Sequence, residues 1–141
     1  MQIYLEDQTA VLVQTIQSLV AAVRNDSGLT AIMTELGTIS STISSILSST
    51  SQTMSSSPSL HQQSSAIVDK LSSCKQRVDL AGSRGREIAE REDDAADLEW
   101  KQWCQGLPPL AFEVARETKE LVRVVDEVET EGAEGRGEDY S

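Results

Sequence analysis

Much is scarce in this chain of 141 residues, and each scarcity removes a class of function. There is one histidine, His61, beside a serine-rich stretch, and there are two cysteines, Cys74 and Cys104, 30 residues apart. None has a companion at metal-ligand spacing, and Cys74 sits in an apolar stripe where an inert thiol is expected. Such sparing cysteine use fits a reduced, cytoplasmic compartment. The acidic group Glu90, Glu92, Asp93, Asp94 and Asp97 lacks the alternating ligand spacing and loop glycine of an EF-hand, so it reads as a solvated helix start. No glycine loop fit to cradle a phosphate is present. These absences argue against an enzyme, a metal site and a cofactor. No apolar run approaches the ~20 residues of a membrane span, and no signal peptide opens the chain. Only Tyr4, Trp100, Trp103, Phe112 and Tyr140 are aromatic, so any core is aliphatic.

Basic residues are also few, and charge is placed unevenly. The net charge is −11; residues 1–89 account for −1 and residues 90–141 for −10. Within the acidic half, 90–99 carries −5 and 126–141 carries −6, whereas 100–125 is +1. A chain with no basic stripe is a poor match for nucleic acid or an anionic membrane surface.

Four helical patterns fill the chain, with no convincing strand, which places it in the all-α class. The first covers about 4–24, with the stripe Leu5, Leu12, Ile16, Leu19 and Val23; Val13 and Val20 widen it toward a second neighbour. Asn25-Asp26-Ser27-Gly28 is a turn sequence. In the second pattern Leu29, Ile32, Leu36, Ile39, Ile43 and Ile46 alternate three and four apart, a heptad seam suited to bundle packing. Ten of the eighteen residues from 40 to 57 are serine, so packing must hold this helix, and its end is expected to fray into a loop at 54–59. The serine face reads either as small side chains facing water or as a phosphorylation zone. A third helix is expected over about 60–91 on Leu60, Ile67, Leu71, Cys74, Val78 and Ala81. Gly82 and Gly85 predict weakness there, or a close bundle contact. Asp93 and Asp94 are N-caps for a fourth segment whose apolar side is Leu98, Trp103 and Leu107. Of Trp100 and Trp103, one is expected in the core and the other half exposed.

The last stretch, 107–128, is amphipathic. Leu107, Leu110, Val114, Leu121, Val125 and Val128 share one face, and Glu113, Arg116, Glu117, Lys119, Glu120 and Arg123 the other. Pro108 and Pro109 predict a break or sharp kink between Gly106 and Pro109. From 130 to 141 an acidic, glycine-rich tail is expected to be disordered, leaving 1–129 as the domain. A helical pattern that starts at once after Met1 points to a piece of a longer protein.

The segment Leu110–Val122, LAFEVARETKELV, resembles the last helix of the focal-adhesion-targeting-like domain that closes GIT-type ArfGAP scaffolds. Phe112, Glu113, Val114, Ala115, Arg116, Lys119, Leu121 and Val122 fill that pattern. The opening Ile3–Arg24, IYLEDQTAVLVQTIQSLVAAVR, is similar to the C-terminal domain of fungal Spa-type polarisome scaffolds. The resemblance implies an antiparallel up-down-up-down four-helix bundle serving as a non-catalytic interaction module at sites of polarised growth. It also implies a groove between first and last helices that accepts acidic, leucine-rich (LD-like) amphipathic helices of cytoskeletal or signalling proteins. Arg116, Lys119 and Arg123 would form its basic rim, and Val13, Ile16, Val20 and Phe112 its apolar wall. Two other readings stand beside this one. The cations can be a surface ladder paired with neighbouring glutamates. The chain can instead be an oligomerisation bundle, self-associating through the heptad seam of the second helix.

Overall fold

The computed structural model describes residues 2–139, with the side chains of 3–130. It is all-helical: α1 is Gln2–Arg24, α2 Leu29–Ser56, α3 Pro58–Ala89 and α4 Asp94–Asp139, with no strand among the described residues. Each helix packs on two others, α1 on α2 and α4, and α3 on α2 and α4, so the four surround one core. The expected tail, 130–141, lies outside the described residues in its last two positions and in all its side chains but the first.

The core explains why these helices exist. Leu12, Ile16 and Leu19 of α1 meet Ile32, Leu36, Ile39 and Ile43 of α2, Cys74 and Val78 of α3, and Leu107, Leu110 and Val114 of α4. A second cluster fills the other end with Leu5, Ile46, Leu60, Ile67, Leu71, Leu121, Val124 and Val125. Burying a side chain of this size contributes about 1.5–3 kcal/mol, far more than any helix propensity at stake in the serine-rich α2. The α2 seam is used up within one chain, since Ile32, Leu36, Ile39, Ile43 and Ile46 are all buried. That counts against the oligomerisation reading, which needs the same seam between protomers.

Local chemistry sets the helix ends. Asp26 and Gly28, at φ 50° and 91°, turn the chain between α1 and α2 in the left-handed region. The loop expected at 54–59 is absent, because Ser57 alone joins α2 to α3. It is extended, its hydroxyl accepts from the Leu60 N–H at 3.4 Å, and Pro58 follows as the first helical residue. Asp93 caps α4 by accepting from the Ala96 N–H at 2.8 Å. That register buries Ala96 and leaves Leu98 exposed, contrary to the apolar face expected for Leu98.

The expected break at the prolines does not occur, since α4 runs through Pro108 and Pro109 as one helix. Two missing N–H groups deprive only the carbonyls of Cys104 and Gln105 of their i+4 donors. Leu107, Leu110 and Ala111 are buried on either side of the prolines and hold the helix in place. The glycines of α3, by contrast, are close contacts. A Cβ on Gly85 would overlap the Trp103 ring, and one on Gly82 would lie 3.1 Å from the Met33 methyl. The Trp103 indole donates to the Ala81 carbonyl at 2.8 Å, and its ring lies 5.0 Å from that of Trp100. Both tryptophans are half-buried and packed against the core, where one in the core and one half exposed were expected.

Candidate functional site

Among the described residues no three His, Cys, Asp or Glu side chains gather where a metal could be held, and no helix is long and apolar enough to cross a membrane. Burial pushes the Cys74 thiol above its ordinary range, with Glu113 adding to the effect, so this sulfur is poorly suited to nucleophilic work. The more informative surface lies between α1 and α4. There Ile16, Val20 and Ala21 of α1 face Phe112 of α4 across a cavity of about 500 Å³, with Gln17 and Arg24 at its lip. Phe112 is 56% exposed, more than any other aromatic among the described side chains, while Ile16 beneath it is buried. Large apolar rings half out of water above a concave apolar floor are the usual anchors of protein interfaces.

Three of the residues anticipated for the apolar wall, Ile16, Val20 and Phe112, are thus brought together from positions almost a hundred residues apart. Val13 is half-buried, one turn of α1 beyond that cavity. The cations anticipated for the rim divide into two kinds. Phe112, Arg116, Lys119 and Arg123 follow one stripe of α4, spaced four, three and four. Arg123 is occupied: it donates to Glu127 at 2.6 Å and pairs at short range with Glu120. Those contacts raise its pKa and hold the Glu120 carboxyl below its usual range. The ladder reading therefore holds for Arg123. Arg116 is 73% exposed, and its Nε lies 3.7 Å from the largely buried Glu117, a loose contact. Lys119 has no ion pair among the described residues.

Arg24 is a lining cation that the sequence reading did not single out. It is the last residue of α1, where a cation also suits the helix dipole. In the fold it borders the Phe112 cavity. The one signal for this in the sequence is its i, i+4 spacing from Val20, which sets both residues on the same side of α1.

Residues 2–126 match the family model described as "G protein-coupled receptor kinase-interacting protein 1 C term". The chain is 32% identical over 129 residues to Protein SPA2 of Saccharomyces cerevisiae, an alignment covering 89% of this chain. It spans only 9% of that protein's length. No solved structure matches the chain.

Proposed function

The chain belongs to the family of the G protein-coupled receptor kinase-interacting protein 1 C-terminal domain, and from that membership we propose a non-catalytic protein–protein interaction module of a polarity scaffold. It docks a partner's short amphipathic helix in the furrow between α1 and α4, and so gathers cytoskeletal or signalling proteins at sites of polarised growth. The observation that carries this reading is the apolar cavity of about 500 Å³ under the exposed Phe112 ring. Arg24 on its lining, with Arg116 and Lys119 one and two turns beyond Phe112 on the same stripe of α4, favours a partner that is acidic as well as leucine-rich. Leucines enter between the helices and carboxylates meet the rim.

The bundle is up-down-up-down in this proposal. Met33 beside Gly82 and Ser40 beside Asp79 run in opposite order along α2 and α3. Arg77 with Glu113 and Arg84 with Glu99 do the same along α3 and α4. Connections of one to four residues support that arrangement. The proline pair bends α4 within the furrow, where two hydrogen bonds are missing.

Titration of a fluorescent acidic, leucine-rich LD-type peptide tests the reading. Phe112→Ala and the pair Arg116→Glu, Lys119→Glu should each weaken binding by roughly ten-fold or more, the loss expected on truncating an interface anchor or reversing its charge partner. Unchanged helicity by circular dichroism shows that these exposed substitutions spare the fold. Equal affinity of both variants and the parent would end the proposal. Light scattering on the same samples should give a concentration-independent monomer.

A further inference from the structure

The furrow does not stop at Phe112. A second cavity, of about 460 Å³, lies between the end of α1 and the start of α4, lined by Val23, Asp26, Asp97, Trp100, Lys101 and Cys104. Lys101, Gln105, Pro108, Phe112, Arg116 and Lys119 are spaced four, three, four, four and three along α4, so both cavities open on the same side of that helix. Asp97 to Lys119 is a rise of ~33 Å.

The two ends of this furrow differ in electrostatic sign. At the far end Arg116 and Lys119 project beyond Phe112. At the near end Asp26 and Asp97 share the cavity lining with Lys101 alone, and Arg24 borders the adjoining Phe112 cavity between the two ends. The same end holds the carbonyls of Cys104 and Gln105, which Pro108 and Pro109 leave without their i+4 donors. A carbonyl short of a donor, beside two carboxylates, is a place for an ammonium or guanidinium group. Trp100, half-buried, lines the same cavity, and an indole is the ring that attracts such a cation best.

Building on the docking reading, we infer that the partner segment is an amphipathic helix of roughly 20 residues with an acidic end, an apolar middle and a basic end. Its acidic end lies on Arg116 and Lys119, its apolar middle on Phe112 and Val20, and its lysine or arginine end in the cavity beside Trp100 and Cys104. A purely acidic short helix fills only half of the furrow and meets like charge in the remainder.

Cys104 provides the probe. Synthetic peptides of about 22 residues carry glutamates at one end, leucines at i, i+3, i+4 and i+7, and lysines at the other end. Each is made in both chain directions, with a thiopyridyl-disulfide cysteine at either the lysine or the glutamate end. The Cys104 thiolate attacks the peptide's sulfur and expels thiopyridone, forming the mixed disulfide. Burial, then Asp26, pushes this thiol above its ordinary range, so exchange is run on the alkaline side. In one chain direction the lysine-end probe should label Cys104 at least ten-fold faster than the glutamate-end probe. Cys104→Ser should abolish labelling, and Asp97→Asn should reduce the preference at least three-fold.

Equal rates from the two ends, labelling at Cys74, or covalent or concentration-dependent dimers of the chain would overturn the inference. If binding of the peptides depends on Phe112 but shows no end preference, the charge order falls while docking stands. If no peptide binds in a Phe112-dependent way, docking falls, and the charge order with it.

Discussion

Two halves of one bundle are built in contrasting ways. The α1–α2 half has few formal charges, and from Leu36 to the end of α2 at Ser56 there is no Asp, Glu, Lys or Arg at all. Its polar side chains turn inward on their own helix: the hydroxyls of Thr34, Thr38, Thr42 and Thr53 each donate to the carbonyl four residues back. The α3–α4 half is laced by charge, with Arg77 to Glu113, Arg84 and Arg91 to Glu99, and Arg123 to Glu127. Yet the cores of the two halves are the same, an aliphatic stripe from each helix. Burial therefore holds the fold, and the outer charges do something else. In the first half they are few, and Arg24 is the one that lines the Phe112 cavity. On α4, Asp97 and Lys101 line the cavity at the start of the helix, and Arg116 and Lys119 follow Phe112 on its stripe.

The contrast can be broken most severely from inside. Ile43→Ala removes a fully buried side chain from the α2 seam and should cost about 3 kcal/mol in chemical denaturation, with α2 given no ion pairs to offset it. Gly85→Ala should cost about 2 kcal/mol, because the added methyl meets the rigid Trp103 ring, although alanine is the better helix former. A stabilising result there would show that Trp103 is free to move away. Ser44→Ala with Ser48→Ala, on the exposed face of α2, should raise stability by about 1 kcal/mol together through helix propensity alone. On the charged side, a double-mutant cycle on Arg77 and Glu113, 2.7 Å apart with side chains 51% and 34% exposed, should give less than about 1 kcal/mol and shrink further in salt.

The smallest effect concerns a polar contact that joins the halves. Ser40 donates to Asp79 at 2.6 Å and Lys75 to its other oxygen at 2.9 Å, and these bonds, the serine's first, hold the Asp79 carboxyl below its ordinary range. A carboxyl with a lowered folded pKa contributes stability above its unfolded pKa and loses it as pH falls through the folded one. Ser40→Ala should therefore flatten part of the acid limb of stability below about pH 4, measured by thermal melts across pH. An unchanged limb would mean that Lys75 alone sets the carboxyl.

The seams were legible because each follows one rule, apolar residues three and four apart, and the residues that obey it most strictly are the most buried. The Asp93 cap was legible for the same local reason. The joint at Ser57-Pro58 carried a cap signal of equal quality, a serine followed by a first-turn proline, but ten serines around it looked like a loop. At Pro108-Pro109 local preference pointed to a break, and buried Leu107, Leu110 and Ala111 overrode it. Arg123 read as a rim cation until Glu120 and Glu127 took both sides of its guanidinium.

What the chain alone determined is four amphipathic helices and the aliphatic make-up of their core, since periodicity and composition are properties of neighbours in sequence. Tertiary structure decided which cations stay unpaired and how Phe112 comes to stand over Ile16 and Val20. It also decided that Gly85 exists for Trp103. Those are distances between side chains on different helices, set by how the stripes close on one another, and no spacing along the chain encodes them directly.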